Sequence, residues 1–147
     1  MNNKISIGIA SDHAGFDYKS NLVPLLEKQG YEITDYGCFS TESVDYPDFA
    51  HSLVKSMEEE KNRFGILFCG SGNGINMTAN KYKFIRSALC WNSEIAQLAR
   101  QHNDANICAM PARYISFETV VEIVSIFLKT DFEGGRHQRR VNKICCQ

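Results

Sequence analysis

Five short apolar runs, each followed by a segment of helical periodicity, predict an α/β protein: a three-layer α/β/α sandwich around a Rossmann-like, five-stranded parallel sheet. Two further observations agree. Polar clusters at Asp12-His13, at residues 69–74 and at Arg113 each follow an apolar run, and in open parallel sheets ligands gather beyond the carboxyl ends of the strands. The stretch Cys69-Gly70-Ser71-Gly72-Asn73-Gly74-Ile75 joins an apolar run to a helix-like segment through alternating glycines. Such a turn lets backbone amides approach a ligand closely, and amides near a helix start favour negative charge.

Residues 5–10 form a β-branched run of the right length for a buried strand. Leu22, Leu25 and Leu26 then recur at helical spacing, with Gly30 as the stop and Pro24 expected to kink the helix or weaken one turn. Residues 31–36 alternate as a second strand, closed by Gly37. After a polar loop over 38–45, Pro47 suits the first turn of a helix whose apolar face is Phe49, Ala50, Leu53, Val54 and Met57. The third strand spans 65–69, and the helix after the glycine loop runs to about Asn80. Residues 87–91 read as a fourth strand and 94–100 as a helix with Ile95, Leu98 and Ala99 inward. Residues 106–110 are a fifth strand stopped by Pro111. Ser116 is placed to cap an apolar helix over 117–129, with Glu118 favourable to its dipole. Gly134-Gly135 separates that helix from a basic tail, Arg136-His137-Gln138-Arg139-Arg140, which predicts a last helix.

At 147 residues, 44% hydrophobic and 22% charged, the chain is expected to form a single domain over 1–147 with a core that needs no staples. A net charge of −1 offers no basic face to nucleic acid. The amino-terminal residues lack the apolar stretch of a signal peptide, and no run approaches the roughly 20 apolar residues of a membrane span. The six cysteines are therefore read as reduced thiols of a cytoplasmic protein. No Cys-x-x-Cys pair occurs, and no metal site is expected.

Cys69 beside an anion-stabilising loop suggests an enzyme acting on a small molecule that is anionic or forms an oxyanion. The bland alternative is a strand–helix turn that happens to follow a small buried hydrophobe. Ile75 stands where a dinucleotide fingerprint needs its third glycine, and no Gly-Lys-Ser/Thr follows, so neither a Rossmann cofactor site nor a P-loop is supported. Asp12-His13 is either a turn with a cap or an acid–base pair. His51 lies in an amphipathic helix and is read as structural or surface. His102 is either a capping residue or a proton donor, and Arg136 and Arg140, four apart, are either a solvated face or a phosphate clamp. Trp91 and Cys145-Cys146 receive no role.

Taken together, Ser-Asp-His-Ala-Gly (11–15), Asp-Tyr-Pro (45–47), Cys-Gly-Ser-Gly-Asn-Gly-Ile (69–75), Ala-Asn-Lys (79–81), Arg-Gln-His-Asn-Asp (100–104) and Glu-Gly-Gly-Arg-His-Gln-Arg-Arg (133–140) closely resemble the type B ribose-5-phosphate isomerases of the ribose/galactose isomerase family. The resemblance implies interconversion of D-ribose 5-phosphate and D-ribulose 5-phosphate through a cis-enediol(ate), in the pentose phosphate pathway, with no metal or organic cofactor. It implies Cys69 as the base, Ser71 as its hydroxyl neighbour, and the amides of Gly70, Ser71, Gly72, Asn73 and Gly74 as the anion hole. Asp12 and His102 would assist ring opening, Tyr46 and Asn103 would line the sugar site, and His13, Arg113, Arg136 and Arg140 would hold the phosphate. It also implies a homodimer or dimer of dimers, with His102, Asn103 and the tail arginines supplied across the interface. Ser71 stands where many members have Thr, which keeps the hydroxyl, and Pro111 stands where a Gly is usual. The galactose-6-phosphate isomerase subunits generally lack the Arg-Gln-His-Asn and Gly-Gly-Arg-His motifs present here. The readings that remain beside it are a six-carbon sugar-phosphate isomerase, acting for example on allose 6-phosphate, a non-catalytic sugar-phosphate-binding protein, and a metal-dependent isomerase that EDTA would silence.

Overall fold

A computed structural model describes residues 3–146. The elements run β1 (Ser6–Ser11), α1 (Phe16–Lys28), β2 (Glu32–Asp35), α2 (Tyr46–Glu58), β3 (Phe64–Cys69), α3 (Asn73–Ala79), β4 (Ser87–Leu89), α4 (Ser93–Asn103), β5 (Ile107–Pro111), α5 (Phe117–Lys129) and α6 (Arg136–Val141). All strand pairings are parallel, in the order β2-β1-β3-β5-β4, so the five-stranded parallel sheet expected from the sequence is present.

Alternation along the strands decides the layers. Ile7, Ile9, Ile66, Phe68, Cys108 and Met110 point to one face, where they meet Leu22 and Leu26 of α1, Ala96 and Ala99 of α4, and Val120, Ile123, Val124 and Phe127 of α5. Ala10, Leu67, Cys69, Ile107 and Ala109 point to the other, against Ala50, Leu53, Val54 and Met57 of α2 and Ile75 and Ala79 of α3. Cys69 therefore ends β3 on the α2/α3 face. The chain leaves β1 for β2 on one side and returns to β3 on the other, so the reversal point lies between the carboxyl ends of β1 and β3, which carry Asp12 and Cys69. Crevices at such reversals are where open α/β sheets bind ligands.

Several local expectations are corrected. Pro24 does not interrupt α1. It sits on the exposed face, as does Ser20, whose carbonyl is left for water, so the missing hydrogen bond is tolerated. Leu25 turns outward, 38% exposed, while the buried stripe is Lys19, Leu22 and Leu26. Pro111 belongs to β5 rather than stopping it. It pairs with Cys69 at the last register position, and the next residue, Ala112, donates its amide to the Cys69 carbonyl at 3.0 Å. Helix α4 starts at Ser93, capped by the Asn92 side chain accepting from the Ile95 amide, and extends through His102 and Asn103 to Asp104 in the left-handed region. Its buried positions are Ala96, Ala99 and Arg100, with Ile95 and Leu98 only part-buried. Ser116 caps α5 as expected, accepting the Thr119 amide at 3.1 Å.

Two buried cations anchor the layers. Lys19 has no exposed side-chain surface, and its Nζ donates to both carboxylate oxygens of Asp35 at 2.7 Å. Arg100 donates to the carbonyls of Thr130 and Ala105 and to Asp104, and its guanidinium lies over the rings of Phe64 and Phe127. The six cysteines stand as free thiols. Among the described residues, no helix is long and apolar enough to cross a membrane.

Candidate active site

A cavity of about 370 Å³ opens at the reversal point, lined by Asp12, Tyr46, Cys69, Gly70, Ser71, Gly74, Arg113 and Tyr114. Cys69 is 4% exposed at its floor, held as the last residue of a strand whose side chains are buried on both faces. The loop leaves β3 through Gly72, whose φ of +75° is left-handed and whose absent Cβ would fall 2.5 Å from Leu89 Cδ1. At Gly74 a Cβ would lie 2.4 Å from the Tyr46 ring, so glycine is what allows the tyrosine against the loop. Ser71 is exposed, its Oγ accepting from the Asn73 amide at 3.3 Å. Among the described residues, the amides of Ser71 and Gly72 donate to no group of the chain, which leaves both free for an anionic oxygen.

Around this loop, Asp12 is 6% exposed, and its Oδ1 accepts from the amides of Ala14 and Gly15, which orients the carboxyl. His13 accepts the Val44 amide on Nδ1 at 3.2 Å, which places the ring proton of a neutral imidazole on Nε2. Arg113 donates its backbone amide to the Gly70 carbonyl, and its guanidinium packs over Gly70, 3.2 Å from where a Cβ would stand. Asp12, Tyr46, Cys69, Gly70, Ser71, Gly74 and Arg113 thus meet as the sequence suggested, with His13, Gly72 and Asn73 on the same edge.

His102, Asn103, Arg136 and Arg140 are elsewhere. In a parallel sheet each crossover helix runs back from the carboxyl to the amino edge, so the end of α4 lies at the start of β5. A strand of five residues spans about 16 Å, more than a side chain reaches. The tail joins this opposite edge: Glu133 donates its amide to the Gln101 carbonyl, and the His137 ring stacks on that of His102, centroids 4.2 Å apart and 11° from parallel. Burial first, then the charges of His102, Arg136 and Arg140, lower the pKa of His137 from its usual 6.5, against the opposing pull of Glu133. Asn103 faces a separate hollow of about 580 Å³ with Asn80, Arg86, Cys145 and Cys146. That hollow is larger, but it lacks the thiol, carboxyl and glycine loop that converge at Cys69.

The sequence matches the Ribose/Galactose Isomerase family over residues 7–144. The chain belongs to that family. Among its relatives, the ribose-5-phosphate isomerase B of Escherichia coli is 41% identical over 138 residues, covering 94% of this chain and 93% of that one. The solved ribose 5-phosphate isomerase of Thermotoga maritima superposes with a TM-score of 0.93 at 48% identity, covering 95% and 97% of the two chains. The Mycoplasma genitalium ribose-5-phosphate isomerase B, solved with bound ribulose 5-phosphate, superposes at 0.90 with 40% identity, covering 95% and 93%. The family resemblance read from the short motifs therefore holds over nearly the whole chain.

Sequence reasoning passed over three residues. Lys19 was hinted at by its place in the stripe of Leu22 and Leu26, where a lone cation implies a buried partner. Arg100 ends the helix that the sequence predicts over 94–100, and no local signal marks its burial. His137 lies between Arg136 and Gln138, and nothing in its spacing announces a stack with a residue 35 positions earlier.

Proposed function

We infer that this chain interconverts D-ribose 5-phosphate and D-ribulose 5-phosphate as a step of the pentose phosphate pathway, through a cis-enediol(ate) and without a metal or organic cofactor. The observation that carries the reading is Cys69 at the floor of a small cavity beside the unengaged amides of Ser71 and Gly72. Family membership and the ribulose 5-phosphate complex of a relative support it.

In this mechanism Asp12 and His102 assist opening of the furanose. The Cys69 thiolate accepts the C2 proton of the aldehyde form, the C2–H bonding pair becomes the C1–C2 double bond, and the carbonyl pair moves onto O1. The amides of Gly70, Ser71, Gly72, Asn73 and Gly74 stabilise that oxyanion, and removing one preorganised donor of this kind costs about 10²–10³ in rate. Ser71 passes the O2 proton to O1. As the O2 carbonyl forms, the thiol returns its proton to C1, which regenerates the thiolate. Tyr46 and Asn103 line the sugar, and His13, Arg113, Arg136 and Arg140 hold the phosphate through charge-assisted hydrogen bonds.

The division of these residues between the two sheet edges supports a homodimer, or a dimer of such dimers. A two-fold axis brings one protomer's Cys69 edge against its partner's His102 edge twice over, giving two equivalent sites. The test is ribulose 5-phosphate formation from ribose 5-phosphate in EDTA, wild type against Cys69→Ala. Turnover that collapses in the variant while substrate binding persists supports the reading. A fully active variant would remove Cys69 from the mechanism, and an inert wild type would move the search to six-carbon phosphates.

A further inference from the structure

We propose that His102, Glu133 and His137 form a binding site for a borderline divalent cation such as Zn²⁺, and that metal held there inhibits the isomerase. The inhibitory half of this inference rests on the reading of His102 as a ring-opening group.

One potential ligand atom from each of the three residues lies within 4.8 Å of the other two. Two imidazoles and one carboxylate are the donor set that Zn²⁺ takes in open, three-ligand sites, with bonds of about 2.0–2.2 Å and hence ligand atoms about 3.3 Å apart. His137 Nε2 and Glu133 Oε2 are already 3.5 Å apart. Closing the trio to that spacing takes up to about 1.5 Å. Because the stacked rings hold their nitrogen lone pairs in separate near-parallel planes, the His102 ring must turn out of the stack to meet an ion held by His137. Glu133 has half its side-chain surface in water, and the His102 ring is only part-buried. His137 is the fixed point, with 8% of its side-chain surface exposed.

Among the described residues, neither imidazole has a hydrogen bond on a ring nitrogen, although one of the two rings is nine-tenths buried. Buried polar side chains usually have a hydrogen-bond partner, as His51 has the Tyr82 hydroxyl at 2.6 Å. The one acidic contact here, at 3.5 Å, is long for such a bond. The backbone also assembles the trio from two directions: the Glu133 amide is bonded to the Gln101 carbonyl next to His102, and the His137 amide to the Gly134 carbonyl next to Glu133. Arg136 and Arg140 face His137 and oppose a second cation, while Glu133 supplies the compensating charge. Coordination engages the His102 lone pair, so the imidazole can neither accept nor donate a proton until the metal leaves.

The exposed Cys145 and Cys146 are competing soft ligands, so the test uses a Cys145→Ser/Cys146→Ser background of the full chain. Calorimetric titration with ZnCl₂ is expected to show one ion per chain, weakened on the order of a hundredfold by Glu133→Gln or His137→Asn, the upper end of what losing even an outer-shell partner costs. ZnCl₂ should suppress turnover of ribose 5-phosphate, EDTA should restore it, and Glu133→Gln, which keeps its basal activity, should resist the metal. Because Glu133 is half exposed, that variant folds even if His137→Asn does not. Unchanged affinity in Glu133→Gln overturns the site. Binding that follows the variants but leaves turnover intact overturns the inhibition and with it the role of His102. An enzyme inert in EDTA defeats the isomerase reading, while the calorimetry still judges the site.

Discussion

Opening the Lys19–Asp35 pair from its two ends should give unequal losses of stability. Lys19 has no exposed side-chain surface, whereas Asp35 is 33% exposed. Asp35→Ala leaves an ammonium sealed in the fold, with only the rings of Phe16 and Phe39, at 5.6 and 5.2 Å, facing its charge. Removing one partner of a buried pair costs about 3–5 kcal/mol, and this variant should fall in that range. Lys19→Met keeps most of the buried stem, and the carboxylate left behind reaches water and still accepts the Gly37 amide at 2.8 Å. Its loss should be nearer that of one charged hydrogen bond, about 1.5–3 kcal/mol. The difference, about 2 kcal/mol, is roughly 30-fold in the folding constant. Urea titrations at equal protomer concentration would read it as a shift in midpoint at constant slope. Lys19→Met should also recover part of the loss when added to Asp35→Ala, because the stranded charge goes with it. If Lys19→Met proved the more damaging single change, the carboxylate rather than the ammonium would be the expensive group to leave alone, and the argument from exposure would fail.

Other outcomes follow from the same geometry. Gly74→Ala places a methyl 2.4 Å from the Tyr46 ring and should cost about 1–3 kcal/mol of stability, with a rise in KM for sugar phosphate, both measurable on one preparation. Iodoacetamide should label Cys145 and Cys146 first, while Cys90 and Cys108 stay unmodified until urea unfolds the chain, since burial pushes the Cys108 thiol up; mass spectrometry of the native protein labelling Cys108 early would contradict this. Refolding equal amounts of Cys69→Ala and His102→Asn chains together should restore about a quarter of wild-type activity, because half the dimers are mixed and each holds one intact site of two. No restoration would mean that both residues serve the same protomer's site.

The sheet, its helices and the carboxyl-edge half of the site were legible because they rest on short-range signals. Alternation over β1 and β3 set which residues face α2 and α3, and the glycines at 72 and 74 announced a turn that a side chain would block. The boundaries that moved did so through contacts the local pattern does not encode. Pro111 remains in β5 because its place at the end of the ladder requires no amide of its own. Arg100 is buried because carbonyls from residues 105 and 130, distant in sequence, converge on it. The position of His102 was the least legible feature of the proposed site. Its motif marks it as chemical, but the chain direction of α4 puts it at the far end of the sheet from Cys69, and only the topology reveals that.

That separation also bears on how the enzyme should respond to heat. Within each protomer Cys69 and His102 are joined by a stiff, close-packed sheet, yet in a dimer that unites the two edges the distance between reacting groups is set by surface contacts between protomers. Precision at the substrate then depends on the softest part of the assembly rather than on its densest. Warming that loosens those contacts by a fraction of an ångström degrades turnover while each protomer keeps its circular dichroism, so the loss of rate should precede melting of the fold.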